Sequence, residues 1–356
     1  LIVTGPFKEY KFYNDEVTLR YYGNPIHAYF EVVDGELKRK DGVTTVCHII
    51  DKSAALVPWG CKMMYEKLMR IIPTQPDESG NEVLVPLSLE EFDHFATNAK
   101  SAHKEKLEEA ANVGSAAHNW LEDYIKIKLG LKPAGTLYWP EDERAKSCVE
   151  AALDWMKQHN VRWVYTERKI YSRNYEFAGT LDGVAVCDSC DDPTCCSTPF
   201  KNRKSLIDWK SSNYLYVEYL YQTAAYQQAY EEETGEKLDD RWIIRLGKED
   251  GKFDPWHCEM DWANADWLGF KYALDLHRTH TEVTNRMKAK REAIRDARKE
   301  QRATEKEAAK EDKRVAKEAA KLERIAAKAS KGNKTKEIKH LTNEANCENF
   351  RQWRKL

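Results

Sequence analysis

The sequence has no apolar run approaching the ~18 residues that make a membrane helix, so no membrane partner is expected. Its first residues, which start at Leu1 without a methionine, carry no signal-peptide pattern. Nine cysteines, an odd number, do not suit a disulfide framework. They predict a reducing, cytoplasmic compartment and either free thiols or a metal site. A dominant charge sign is also missing, since the net charge is only -2 over 356 residues. That near-balance hides an asymmetry. Residues 286–356 hold 23 Lys and Arg against 12 Asp and Glu, a net +11, which leaves -13 on residues 1–285. An acidic body does not exclude a polyanionic partner, because metal-binding carboxylates and a locally positive groove decide contact with phosphates. With 42% hydrophobic residues the chain can bury a sizeable core, and one elaborated domain with appendages is expected.

Residues 7–38 alternate apolar and polar side chains around turn signals at Asn14-Asp15, Gly23-Asn24 and Asp34-Gly35. They predict an N-terminal β element, residues 1–42, serving as a platform or groove wall. Thr44 to Ile72 reads as two short helices and Pro73 to Pro86 as a surface loop. Helices are expected at Ser88 to Asn112, Ser115 to Leu129 and Glu141 to His159, with Ser115 as an N-cap. Strands follow at Val161 to Tyr171, Phe177 to Cys187 and Ser205 to Lys210, then a helix from Tyr214 to Thr234 and strands at Trp242 to Leu246 and Phe253 to Met260. The fold class is α/β, a mixed sheet flanked by helices within residues 43–262. From Asn264 a helical pattern runs to about Ser330, and after Arg286 it lacks the apolar seam of a coiled coil. Opposite charges three apart, such as Glu292 with Arg295 and Glu311 with Arg314, suit a solvated helix over residues 263–331. The helix also offers a DNA-reaching or protein-docking arm. After Gly332-Asn333 comes a tail, 332–356, whose Phe350 and Trp353 offer docking groups.

Two acidic signatures carry chemistry: Gly179-Thr180-Leu181-Asp182 and Ile207-Asp208-Trp209-Lys210, each ending an apolar run. Alternate strand residues share a face, so Asp208 and Lys210 point the same way. Two carboxylates and an ammonium around one point can hold a divalent metal and a nucleophilic water, which is what hydrolysis of a phosphodiester requires. Gly179 would let a nucleic-acid backbone or a neighbouring strand come close. The bland alternatives are an aspartate in a turn with Gly183 and a surface lysine. Glu167, in the preceding strand, is a candidate for a second metal or supporting role, equally readable as an outward-facing strand glutamate. His118 follows Gly114-Ser115-Ala116-Ala117 on a helix whose Leu121 and Ile125 face inward, where an isolated histidine is more often a core residue. Gln222 and Tyr226 lie one turn apart on the later helix.

The order His, Asp, Asp-x-Lys, Gln-x-x-x-Tyr resembles the RecB-like branch of the PD-(D/E)xK nuclease superfamily, with its phage-type exonucleases and the mitochondrial genome maintenance exonuclease. The likeness extends from about Val43, through the Leu56-Val57-Pro58-Trp59 stretch, to about Glu259. It implies a restriction-endonuclease-like core in which Asp182, Asp208 and the Trp209 backbone carbonyl hold Mg²⁺ or Mn²⁺ and His118 lies at the metal. It further implies that Lys210 offsets charge at the scissile phosphate, with Gln222 and Tyr226 bonding phosphate oxygens or the lysine. The implied activity is a metal-dependent DNA exonuclease, phage-encoded and acting in replication, recombination or DNA degradation in the host cytoplasm. The rivals are a structure-specific endonuclease with the same site and a non-catalytic DNA-binding scaffold.

Cys187, Cys190, Cys195 and Cys196 crowd a Pro-, Asp- and Ser-rich insertion, residues 187–203. They can close a structural Zn²⁺ knuckle or remain free thiols. Because Cys195 and Cys196 are adjacent, a partner from elsewhere, such as His257 or Cys258, is a further option. Some of the resembled proteins carry an iron-sulfur cluster, but their cysteines bracket the core, which this pattern does not.

Overall fold

A computed structural model describes residues 3, 5–50 and 52–331, with side chains to residue 325. The tail with Phe350 and Trp353 lies outside the described residues. Four strands open the chain: β1 Phe7–Phe12, β2 Val17–Tyr22, β3 Ala28–Val33 and β4 Glu36–Gly42. They form an antiparallel meander. Asp34 and Gly35 both take positive φ, 52° and 79°, the backbone that a two-residue hairpin turn requires.

Helices α1 Val43–Cys47 and α2 Ser53–Ile71 follow, then a small hairpin of β5 Thr74–Pro76 and β6 Glu82–Leu84. The segment expected as a plain loop therefore contains two short paired strands. Next come α3 Leu89–Ala99, started by a Ser88/Glu91 capping box, α4 Ala102–Lys128 and α5 Glu143–Gln158. Then β7 Arg162–Ser172, β8 Phe177–Cys187, β9 Arg203–Lys210, α6 Val217–Thr234, β10 Asp240–Leu246, β11 Phe253–Cys258 and α7 Ala263–Lys331 complete the order.

The expected helix start at Ser115 is wrong: α4 runs unbroken through Gly114 and Ser115, and the break falls at Lys100-Ser101. The glycine is there for packing rather than capping, since a Cβ on Gly114 would stand 2.5 Å from Ser211 Oγ.

Nine strands form one mixed sheet in the order β1-β2-β3-β4-β8-β9-β10-β11, with β7 also paired to β8. One face packs on α4 and α5 through Trp120, Leu121, Trp155, Ile207 and Trp209. The other packs on α1, α6 and the first turns of α7 through Val43, Leu206, Tyr226, Phe270 and Leu274. Burial of such side chains, at ~1.5–3 kcal/mol each, is what fixes strand register here.

Strand β8 has an unusual load. β7 pairs along one edge from Phe177 to Val186. The opposite edge is divided: β4 meets it in parallel at Phe177 and Ala178, and β9 in antiparallel from Gly183 to Cys187. Residues 179–182 of that edge are left between two strands that part, which opens a notch in the sheet.

The chain divides into two compact units, residues 1–279 and 280–356. In the second, every described side chain from Asn285 to Ile325 is exposed, including Ile294, Val315 and Leu322. Of the expected ion pairs, Glu311–Arg314 closes at 2.7 Å, while Arg295 contacts Asp296 at 3.6 Å. No described helix is long and apolar enough to cross a membrane.

Candidate active site

The site assembles from strand register. β8 and β9 pair Gly183 with Ile207, so the next positions outward are Asp182 and Asp208. On the other side, β7 and β8 pair Thr166 with Gly183 and Arg168 with Leu181, which sets Glu167 opposite Asp182. Directly opposed residues share a face. Glu167, Asp182 and Asp208 thus form a row of three carboxylates across adjacent strands, at the mouth of the notch. Two residues further along, Lys169 pairs with Thr180, and Lys210 continues the line. A row of acids is therefore followed by a row carrying two ammonium groups.

Asp182 Oδ2 accepts the Trp209 backbone N–H at 2.9 Å, taking the donor freed where the β8–β9 ladder ends. His118 Nδ1, reaching from α4, lies 3.7 Å from the same oxygen. The expectation that His118, Asp182, Asp208 and Lys210 converge agrees with this geometry. Asp182 sits within β8, and Gly183 is a strand residue rather than half of a turn: a Cβ there would meet the Trp163 ring at 2.4 Å. Gly179 does admit a close neighbour, but the neighbour is the Tyr226 ring of α6, 2.7 Å from where a Cβ would stand, instead of a strand or an external backbone.

Asp208 is 1% exposed. Lys210 Nζ lies 2.5 Å from its Oδ2, yet out of line for a hydrogen bond, and neither carboxylate oxygen receives one from the described residues. Burial, reinforced by Asp182, pushes the Asp208 carboxyl up to about 7 against the pull of Lys210. Burial pulls the Lys210 ammonium down, but Asp208 and Asp182 outweigh it and hold it above the usual lysine range. Lys210 is thus not a solvated surface lysine; its side chain is 15% exposed.

Glu167 combines two perturbations. Its φ of 47° is left-handed, a strain of ~1–3 kcal/mol for a side-chain-bearing residue. Burial, and then Asp182, push its carboxyl up to about 8. An outward-facing strand glutamate would show neither feature. Burial draws the Lys169 ammonium down, while its Nζ stands over the Tyr21 ring at 5.1 Å. Tyr29 joins the meander to the notch by a 3.0 Å hydrogen bond with Thr180 Oγ1.

No protein-family model and no curated protein matches the chain.

Gln222 Nε2 donates to the Tyr226 hydroxyl at 2.7 Å. Tyr226 is buried, and burial followed by Asp208 raises its phenol well above its ordinary value. The described residues show neither side chain bonded to Lys210. The aromatic partner of the lysine is Tyr219, whose ring centroid lies 4.8 Å from Nζ. Sequence reasoning missed Tyr219, though the tyrosines at 214, 216 and 219 were a signal. It also missed Lys169, whose spacing of two from Glu167 already put it on the same strand face.

The cysteine grouping needs correction. Cys187 is fully buried at the end of β8 and does not join the other three; burial pushes its thiol up. His257 and Cys258 stay apart as well. His257 hydrogen-bonds Asp240 at 2.8 Å and stacks on Trp242. The residue that meets Cys190, Cys195 and Cys196 is His159, and these four form a group able to hold a metal ion.

Proposed function

We propose that this chain is a divalent-metal-dependent nuclease of RecB-like type on a restriction-endonuclease-like core, acting as an exonuclease on DNA. The observation that carries the reading is Asp208, a buried carboxylate with both oxygens lacking a hydrogen-bond donor, next to two further carboxylates in one row. Such an orphaned anion is costly unless a cation completes it. An all-oxygen donor set suits Mg²⁺ or Mn²⁺.

Asp182, Asp208 and the Trp209 carbonyl would hold the metal, with His118 beside it. When bound, the ion supplies charge to the scissile phosphate and lowers the pKa of a water. The remaining work belongs to the protein. Asp182 fixes the start of the Trp209 peptide through its 2.9 Å bond. Lys210, held charged by Asp208 and Asp182 and steadied by Tyr219, is placed to offset negative charge developing on a phosphate. Glu167, protonated near neutrality by its surroundings, can hold or release a proton beside Asp182.

End-labelled linear and closed circular DNA incubated with Mg²⁺, Mn²⁺ or EDTA test this. Digestion of linear DNA alone, lost with EDTA and in Asp208→Asn, is expected. Cleavage of circles would convert the reading to an endonuclease. No hydrolysis with any metal would leave a DNA-binding scaffold.

A further inference from the structure

We propose that His159, Cys190, Cys195 and Cys196 are the four ligands of a structural Zn²⁺ that clips the β8–β9 insertion to the end of α5. The inference does not rest on the nuclease reading. The four ligand atoms lie within 4.8 Å of one another. Cys195 Sγ and Cys196 Sγ stand 3.3 and 3.5 Å from His159 Nε2, Cys190 Sγ is 3.6 Å from Cys196 Sγ, and the adjacent sulfurs are 4.0 Å apart. Zinc–sulfur bonds of ~2.3 Å and zinc–nitrogen bonds of ~2.0–2.1 Å at tetrahedral angles give edges of roughly 3.8 Å between sulfurs and 3.5 Å from sulfur to nitrogen. The observed separations are those of a tetrahedron's edges.

The histidine is oriented for the task. Its Nδ1 stands 2.8 Å from the Trp155 carbonyl oxygen, which can only accept, so Nδ1 carries the proton and Nε2 turns its lone pair to the sulfurs. A thiol cluster without metal would have two S–H groups competing for that single lone pair, whereas a cation draws on all four donors at once. The loop also shows how two adjacent cysteines serve together. The Asp192 carbonyl accepts the amide N–H of both Cys195 and Cys196, and the Asp192 side chain accepts from Thr194, winding the segment into one turn. The Cys190 amide points at Cys196 Sγ at 3.5 Å, a donor that stabilises a thiolate.

Three sulfurs and an imidazole select zinc over Mg²⁺, and four protein ligands leave no open position, which makes the ion structural. Its place gives it a role. His159 caps α5 and stacks 4.6 Å from Trp155, whose edge meets Trp209, the residue between Asp208 and Lys210. The clip secures the layer behind β9.

The full chain, purified without added metal or chelator, is assayed for zinc and iron by mass spectrometry. Zinc release is followed with a chromogenic chelator as a mercurial titrates the thiols. Stoichiometric zinc is expected, lost in Cys190→Ser and His159→Ala. It should be kept in His159→Cys, because four thiolates also bind zinc, and in Cys187→Ala. Should the deficient variants fail to fold, Co²⁺ exchanged into the unaltered chain decides, with intense visible bands of a tetrahedral thiolate site expected. Substoichiometric zinc together with no such cobalt spectrum, stoichiometric iron, or zinc loss from a folded Cys187→Ala overturns the assignment.

Discussion

Replacing Glu167 by Gln should make the metal-free protein more stable at alkaline pH and leave it unchanged at acid pH. Glutamine reproduces the neutral carboxyl in size and keeps the backbone at Glu167, φ 47°, so strain cancels between the two proteins. Burial and Asp182 hold the folded carboxyl up to about 8, against an unfolded value of 4.5. Between those values the folded chain keeps a proton that the unfolded chain has released. Stability therefore falls as pH rises through the window, by at most ~1.4 kcal/mol per pH unit. Integrated over the window and reduced for the solvent that still reaches Glu167, the loss is about 3 to 4 kcal/mol. Glutamine cannot ionise and escapes it. Urea unfolding followed by tryptophan fluorescence, in EDTA at pH 4.5 and pH 8.5, reads the difference directly. The two proteins should coincide at the lower pH and separate by that amount at the higher. A gap that does not change with pH would refute the claim that Glu167 is held protonated beside Asp182.

Lys210→Ala should abolish hydrolysis and also destabilise the fold by about 3 to 5 kcal/mol, because it strands the buried Asp208 charge; a denaturation midpoint equal to the parent's would contradict the burial of that pair. Gly114→Ala should cost roughly 1 to 3 kcal/mol, since its Cβ would crowd Ser211 Oγ at 2.5 Å, and unchanged thermal unfolding would show that the two elements part freely. Removing residues 286–356, net +11, should flatten the salt dependence of duplex binding by about 0.9 in log-log slope for each lost phosphate contact. Turnover of a saturating short substrate should survive that deletion, and an identical salt slope would leave the segment a spacer or protein-docking arm.

The strand from Phe177 to Cys187 was legible to the residue, because its apolar run is bounded by turn residues at both ends. Asp182, Asp208 and Lys210 were legible as types at the ends of such runs. Their alignment was not: it depends on which strands pair and in what register, and β8 divides one edge between β4 and β9. Glu167 was half visible, since period-two spacing placed it on a strand while its left-handed backbone has no local signal. Gly114-Ser115 looked like a helix start because local propensity cannot see Ser211 across the fold. His159 escaped for the same reason. It sits at a helix end, far in sequence from the cysteines it meets, and the nearer candidates His257 and Cys258 belong to another neighbourhood.

The divided edge of β8 bears on which length changes this lineage can absorb. Adding one residue between Gly179 and Asp182 would reverse the facing of everything beyond it, sending Asp182 toward the opposite layer and breaking the match with Ile207. Adding residues between Asp191 and Thr194 leaves every strand pairing untouched, since that stretch lies outside the sheet. Descendants of this chain should therefore drift in length beside the cysteines and hold a fixed count through Gly179–Asp182, so that a deletion series across β8 and its insertion maps where heredity has room to vary.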